Sequence, residues 1–196
     1  MAQTSTTLIS AKSHITSITG TDISLSATAG VYTISATSTV LTGAGKLAVG
    51  DLITVSGSAS NNSTFTVNTV VSTTELTVAE VITSENADGS STITLDHVGF
   101  VSDKAKGDGY YSQPDGVHTV AYQVANDFNA DATIKMQGTL ATTPTEDDWF
   151  DIANTTFTSD TSTLTSSFNF TGNYVWVRSK TQLLTAGTTN SILLNS

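Results

Sequence analysis

Apolar residues alternate with threonine and serine along most of this chain. In the stretch GDLITVSGSASNNSTFTVNTVVSTTELTV, which runs from Gly50 to Val78, the segment Thr64-Phe65-Thr66-Val67 repeats with a period of two. Successive side chains of a β-strand point to opposite faces, so Phe65 and Val67 share one face and the threonines share the other. Threonine is β-branched and favours a pleated, half-buried surface. The pattern therefore predicts strands with an apolar inner face and a hydroxyl-covered outer face.

The composition agrees with this pattern. Serine and threonine make up roughly a third of the 196 residues, far above ordinary usage. Charged residues are 12% of the chain, about half of the usual share of roughly 25%. Disordered chains combine low hydrophobicity with high charge, whereas this chain is 38% hydrophobic. We therefore predict an all-β protein rather than a disordered one.

Turn signals gather the first alternating segments into one group. The dipeptides Gly50-Asp51 and Asp88-Gly89 are typical of turns that precede strands. We expect residues 21–98 to form one small antiparallel β-module, a barrel or a sandwich. Residues 1–20 are rich in serine and threonine and are predicted to be an N-terminal arm or a first strand. The strands predicted in the module include Val31–Ile34, Leu52–Val55, Thr64–Val67, Leu76–Val78 and Ser91–Leu95.

A glycine-rich segment follows this group. Residues 99–116 contain four glycines and Pro114, one of the two prolines, a composition typical of a linker. Residues 117–196 alternate again and are predicted to form a C-terminal β-sandwich. A single helical turn near Thr145–Phe150 is the alternative to a simple loop there. The sequence thus predicts two small antiparallel β-sandwich or β-barrel domains joined by a glycine-rich linker.

The charge balance restricts the partners that we expect. Seven basic residues stand against seventeen acidic ones, which gives a net charge of −10. Binding to nucleic acid or to an anionic membrane surface needs clustered lysine and arginine, so we expect neither partner. The chain has no cysteine, which excludes disulfides and thiolate metal sites. The N-terminal residues show no secretory signal, and no apolar run approaches the length of a membrane span.

The histidines give no metal-binding pattern. His14, His97 and His118 are far apart in sequence and form no HExxH motif. A zinc site would require the fold to bring them together. No nucleophile elbow of the GxSxG type occurs either. We therefore predict no enzymatic activity, no metal and no cofactor.

The acidic residues are likewise interpreted as structural rather than as a metal-binding or catalytic site. The run Glu146-Asp147-Asp148 has the chemistry for Ca²⁺ or for paired catalytic carboxylates. The alternative that we favour is a solvated loop before a buried Trp149. Asp103, Asp108 and Asp115 lie in the glycine-rich segment, and their spacing does not match an EF-hand.

The aromatic residues supply the one candidate contact site. Tyr110 and Tyr111 are adjacent in the predicted linker. An exposed tyrosine pair can anchor a protein partner or a sugar, and packing against one of the domains is the alternative. Trp149 and Trp176 are predicted to be core residues, with carbohydrate stacking as the alternative.

Two segments resemble structural proteins of tailed bacteriophages. The segment VGDLITVSGSASNNSTFTVNTVVSTTELTVAEVITSENADGSSTITL is similar to a β-module found in such proteins, with a GD-[LI]-I-x-V-S-G-S turn, an N-N-x-T-F-T-V strand and a closing L-T-V…E strand pair. The segments ATIKMQGTLATTPTEDDWFDIA, TGNYVWVRSKT and GTTNSILLN look like small β-sandwich virion proteins. The region that contains these segments, residues 49–195, is about three quarters of the chain.

The resemblance implies a function and a location. It implies a non-enzymatic virion structural protein that is made in the host cytoplasm and incorporated into the virion. We expect a capsid decoration or cement protein on the outer head, and a tail, neck or fibre protein with a host-surface or carbohydrate-binding role is the alternative. The implied partners are the major capsid protein or other virion proteins, together with further copies of the chain in a homo-oligomer such as a trimer.

Overall fold

The computed structural model describes residues 5–111, 116–159 and 164–195, and the regular secondary structure of these residues is almost entirely β-strand. Short 3₁₀ helices are η1 (Asp108–Tyr111) and η2 (Glu146–Asp148). Neighbouring strands pair in antiparallel fashion, which confirms the predicted fold class. The strands are β1 (Ser5–Ile9), β2 (Lys12–Ser13), β3 (Ile18–Gly20), β4 (Ile23–Thr28), β5 (Val31–Ala36), β6 (Asp51–Ser56), β7 (Thr64–Ser72), β8 (Glu75–Val78), β9 (Ile93–Val101), β10 (Ala105–Lys106), β11 (Val117–Val124), β12 (Thr133–Thr139), β13 (Phe150–Asp151), β14 (Phe157–Thr158), β15 (Thr165–Thr171), β16 (Trp176–Gln182) and β17 (Thr188–Asn195).

The chain divides into two compact units. The first unit is Ile15–Phe100, and the second combines Met1–His14 with Val101–Ser196. The N-terminal residues belong to the second unit because β1 and β2 both pair with the C-terminal strand β17. Of the two alternatives for residues 1–20, an arm or a first strand, the described part contains the strand Ser5–Ile9.

The first unit is a rolled antiparallel sheet. Its pairs follow the order β3–β9–β6–β7–β8–β5–β4. Only Thr21 and Asp22 separate β3 from β4, so the two end strands of this order are adjacent in the chain. The segment around Glu85 covers the edge of β4, because Leu25 and Glu85 exchange two backbone hydrogen bonds of 2.8 Å.

Every strand of the first unit contributes to one hydrophobic core. The alternation that predicts inward-facing residues on β6, β7, β8 and β9 is confirmed by their burial. Full burial of one such aliphatic side chain contributes about 1.5–3 kcal/mol relative to exposure. The buried core residues of these strands are Ile18, Ile23, Leu25, Ile34, Ile53, Val55, Phe65, Val67, Leu76, Val78, Ile93 and Leu95.

A carboxylate in the turn between β3 and β4 holds the loop that follows β5. Asp22 accepts hydrogen bonds from the backbone nitrogens of Ser38 at 2.7 Å and Thr39 at 2.9 Å, and from both hydroxyls. These hydrogen bonds, with the Thr39 hydroxyl as the largest contribution, lower the pKa of Asp22 below its ordinary value. The attachment of the loop after β5 to this turn therefore depends on the ionised form of the Asp22 carboxyl.

We expect the Asp22→Asn variant to have a lower Tm at neutral pH. Because the folded-state pKa of Asp22 lies below its unfolded value, its contribution to stability is complete above about pH 4. That contribution is lost as the pH falls through the folded-state pKa. Thermal unfolding followed by circular dichroism should therefore show wild type and variant converging in acid. Glu75→Gln is the control, since no hydrogen bond of the Glu75 carboxylate occurs among the described residues; equal Tm values for wild type and Asp22→Asn at neutral pH would contradict the account.

The second unit is a two-layer sandwich. One sheet has the order β1–β17–β11–β15. In the other sheet β12 pairs with β13, β14 and β16, and β10 pairs with β16. The ring of Tyr122 on β11 lies 6.1 Å from the ring of Phe157 on β14, so the two sheets face each other. The interior is formed by Val120, Tyr122, Val124, Phe128, Ile134, Met136, Phe157, Val177, Ile192 and Leu194.

The segment predicted as a linker has regular structure where it is described. Gly99 to Val101 are the end of β9, Ala105–Lys106 form β10, and Asp108–Tyr111 form η1. Two glycines of this segment, Gly107 and Gly109, do not mark a flexible connection, because both lie against the backbone of residues 173–174. Pro114 lies outside the described residues.

Candidate functional site

An exposed group of aromatic and lysine side chains lies in the second unit. We call Lys104, Lys106, Tyr110, Tyr111 and Trp176 the aromatic–lysine patch. Tyr110 is 43% exposed and Tyr111 is 56% exposed, although both are large rings that normally favour burial. The structure thus places the two sequence-predicted contact residues at the surface. Beside them lie Trp176, for which carbohydrate stacking was the alternative to a core position, and two lysines that the prediction did not include.

Close backbone contacts position the patch. Lys106 pairs with Trp176 across β10 and β16. The backbone nitrogen of Gly109 donates to the carbonyl of Tyr174 at 2.8 Å. A Cβ atom on Gly107 would lie 2.4 Å from the Tyr174 carbonyl oxygen, and one on Gly109 would lie 2.8 Å from that of Asn173. Glycine is therefore required at both positions for close approach, which holds the η1 turn against the sheet.

The rings of the patch pack on each other. The ring centroids of Tyr110 and Trp176 are 4.8 Å apart, and those of Tyr110 and Tyr111 are 5.2 Å apart in an edge-to-face arrangement. The indole nitrogen of Trp176 donates to the Thr142 carbonyl at 3.0 Å. Edge-to-face and tilted aromatic pairs are favourable geometries. The rings therefore form a preorganised surface rather than independent side chains.

Lysine ammonium groups sit over these rings. Lys106 Nζ is 4.2 Å from the Tyr110 ring centroid and 5.5 Å from that of Tyr111, and Lys104 Nζ is 4.5 Å from that of Trp176. Such cation–π contacts hold a charge close to an aromatic face. The patch therefore combines apolar contact area with positive charge, on a protein whose net charge is −10. A surface of this kind suits a protein partner with acidic and apolar groups.

A second aromatic–cation contact lies on the outer face of the same sandwich. Arg178 is only 5% exposed. Its guanidinium donates to both carboxylate oxygens of Glu146 at 2.8 and 2.7 Å and to the Gln137 side chain at 3.0 Å. The guanidinium carbon lies 4.2 Å from the Trp149 ring centroid. Bidentate pairing and ring stacking are the contacts that arginine makes best. This cluster therefore fixes the η2 turn to the sheet.

The predictions for the tryptophans and the acidic run need correction here. The prediction that Trp149 and Trp176 are core residues is wrong, because both are half-buried and pack on cations and on tyrosine at the outside of the sandwich. The run Glu146-Asp147-Asp148 is the helical turn η2 rather than a simple loop. Asp148 accepts from the backbone nitrogen and hydroxyl of Thr145 at 2.7 and 2.9 Å, which lowers the pKa of Asp148 and caps the turn.

Two of the three histidines, His97 and His118, are buried and belong to different units. His97 is buried in the first unit, where its Nε2 lies 3.4 Å from Asp51 Oδ1 and its Nδ1 accepts from the Ile15 amide at 3.3 Å. His118 is buried in the second unit, where it stacks on Phe170 and lies 3.3 Å from Asp108. Within the described ranges, no three histidine, aspartate or glutamate side chains form a group that could hold a metal ion.

The three aspartates of the glycine-rich segment do not share one environment, and one of them, Asp108, makes the contact with His118. Asp108, the first residue of η1, also accepts from the Gly116 amide at 2.6 Å, so it links η1 to the start of β11. Asp103 is exposed. Asp115 lies outside the described residues. The three side chains therefore do not give a described common site.

An open cavity of about 430 Å³ lies in the first unit, beside Glu85 and Asp88. Glu85 accepts from the Ser58 hydroxyl at 2.5 Å and the Ala59 amide at 2.9 Å, and these hydrogen bonds lower its pKa. The Ser91 hydroxyl and neighbouring amides lower the pKa of Asp88 to about 2. Donors from the loops that line the cavity therefore favour the ionised form of both carboxylates.

Comparisons with known proteins do not assign the chain to a family. No protein-family profile matches the chain, and no curated protein sequence matches it significantly. None of the helices among the described residues is long and apolar enough to cross a membrane. The resemblance to phage β-modules therefore rests on the sequence motifs alone.

Proposed function

We propose that this protein is a non-enzymatic structural protein of a tailed-bacteriophage virion, attached to the outer head as a decoration or cement protein. One structural observation carries the proposal: the aromatic–lysine patch is an exposed group of packed rings and lysines on an all-β scaffold. The motifs that resemble phage β-modules indicate the class of partner, which is the major capsid protein or another virion protein.

The form of the resembling segment supports the same proposal. The turn at Gly50-Asp51 has a structural role, since Gly50 has a φ of 84° and Asp51 is fully buried. The Asp51 carboxylate accepts from the Ala48 amide at 2.8 Å. The resembling residues thus build the core and turns of the first unit, as expected for a structural module.

We expect the Tyr110→Ser/Tyr111→Ser double variant to lose attachment to particles. Exposed tyrosines that become buried at an interface are typical binding hot spots, and truncation of one commonly costs about 2 kcal/mol, which is roughly a 30-fold loss of affinity. Cosedimentation of purified protein with particles that lack it measures this loss. Phe150→Ser is the matched control, because Phe150 is also an exposed ring of the second unit, at 45% exposure. Equal cosedimentation of the double variant and wild type would contradict the role of the patch.

A second candidate function is host-surface or carbohydrate binding from the tail, neck or a fibre. The neighbouring rings of Tyr110 and Trp176 favour it, since sugars stack on such aromatic surfaces. Binding to host cells or to their purified surface polysaccharide, lost on Trp176→Ala, would support this candidate. Particle attachment without any binding to host surfaces would support the decoration role instead.

A further inference from the structure

Strand β15 (Thr165–Thr171) is an edge of the sandwich in the second unit. Its sequence TSSFNFT contains no charged residue and no proline. Among the residues that the structure describes, it pairs with β11 on one side, and no strand pairs with its other side. Natural edge strands usually carry lysine, proline or a bulge that prevents pairing with another chain. The described part of β15 has none of these protections.

The core of the sandwich is incomplete at this edge. Phe168 lies on the inner face of β15, with its ring 5.6 Å from that of Tyr122, yet Phe168 is only half-buried. Phe170, two residues along on the same face, is buried. Residues Ser167 and Asn169 point to the opposite, exposed face. An added strand beside β15 would therefore cover apolar surface as well as satisfy backbone hydrogen-bonding groups.

We infer that two copies of this protein pair through β15, in an antiparallel arrangement around a twofold axis at Phe168. This register pairs all seven residues of the strand. It places Phe168 opposite its own copy, Ser167 opposite Asn169, and Thr165 opposite Thr171. Residues opposite each other in a sheet share a face, so the inner face of one copy continues the inner face of the other. A contact of this kind is isologous and closes as a dimer.

The chemistry of β15 favours a second copy over an unrelated strand. The strand that fits must supply an apolar residue beside Phe168 and small polar residues on the outer face, and β15 has that pattern itself. Each copy carries a net charge of −10, so most faces of two copies repel each other. The contact through β15 places no ionisable side chains opposite each other, which avoids the like-charge pairs that destabilise adjacent strands.

The test introduces positive charge into one or the other edge strand of the same sheet and compares the effects on dimer formation. In the Ser167→Lys/Asn169→Lys variant, each lysine would lie opposite a lysine of the other copy. The Ser5→Lys/Thr7→Lys variant carries the same charge at exposed positions of β1, the edge strand at the other side. Sedimentation equilibrium should show wild type and the β1 variant as dimers, at twice the monomer mass of 20.3 kDa. We expect the dimer dissociation constant of the β15 variant to rise at least about tenfold.

Disulfide cross-linking tests the register and does not depend on the lysine variants. The chain has no cysteine, so the Ser167→Cys/Asn169→Cys variant should form a covalent dimer under mild oxidation, since residue 167 faces residue 169 of the other copy. The single variants Ser167→Cys and Asn169→Cys should cross-link much less. A monomeric wild type, dissociation by the β1 variant alone, or no cross-linking of the double variant would overturn the inference. None of these results bears on attachment to particles, which is measured separately.

Discussion

Replacing Asp51 with alanine should unfold the first unit or leave it marginally stable. The side chain is fully buried, its Oδ2 accepts from the Ala48 amide at 2.8 Å, and its Oδ1 lies 3.4 Å from His97 Nε2. Removing this buried carboxylate leaves the buried groups that face it, such as the Ala48 amide, without their acceptor, which costs about 1–3 kcal/mol for each group. That loss is a large share of the roughly 5–15 kcal/mol that stabilises a typical domain.

The measurement for Asp51→Ala must report on the first unit alone. Both tryptophans are in the second unit, so tryptophan fluorescence does not report on residues 15–100. Hydrogen exchange followed by mass spectrometry does, and we expect peptides from β6, β7 and β9 to lose protection. Asp51→Asn is the matched control, because it keeps an acceptor for the Ala48 amide and should cost less. Unchanged protection of these peptides in Asp51→Ala would show that the buried carboxylate does not hold the GD turn.

Replacing Tyr122 with alanine should produce a similarly large loss in the second unit. Tyr122 is fully buried, contacts the rings of Phe157 and Phe168, and donates its hydroxyl to the Thr155 carbonyl at 2.9 Å. Its burial raises the pKa of the phenol above the ordinary value, so the hydroxyl stays protonated and remains a donor. Truncation of a large buried aromatic residue costs about 3–5 kcal/mol.

Tyr122→Phe separates the packing from the hydrogen bond. This variant keeps the ring and loses only the hydroxyl, so we expect a cost of about 1–2 kcal/mol. Urea unfolding followed by tryptophan fluorescence reports on the second unit directly, because Trp149 and Trp176 both belong to it. If Tyr122→Ala and Tyr122→Phe had equal unfolding free energies, the ring would not join the two sheets as described.

The period-two pattern predicts the class and most inward-facing residues because alternation is a local property of a strand. One failure has a visible cause. Thr66, predicted on the wet face, is buried because its amide and hydroxyl both donate to Glu80. Contacts of this kind between side chains do not alter the period-two pattern, so the pattern cannot predict the burial that they cause.

Contacts between distant segments account for what the sequence could not predict. The pairing of Ser5–Ile9 with Thr188–Asn195 joins the two ends of the chain, and alternation carries no information about which strands pair. The same limit applies to the aromatic–lysine patch. Tyr110 and Tyr111 were identifiable as adjacent aromatics, but Trp176 joins them only because β10 pairs with β16. The burial of Arg178 depends on Glu146, which is 32 residues away.

We propose that this protein is a structural component of a bacteriophage virion. The most direct test is immunogold labelling of intact particles in the electron microscope, combined with gel densitometry that measures copy number against the major capsid protein. We predict label over the whole outer head and a copy number comparable to that of the capsid subunits. Label confined to the tail or neck would favour the alternative location, and absence of the protein from purified particles would contradict the account.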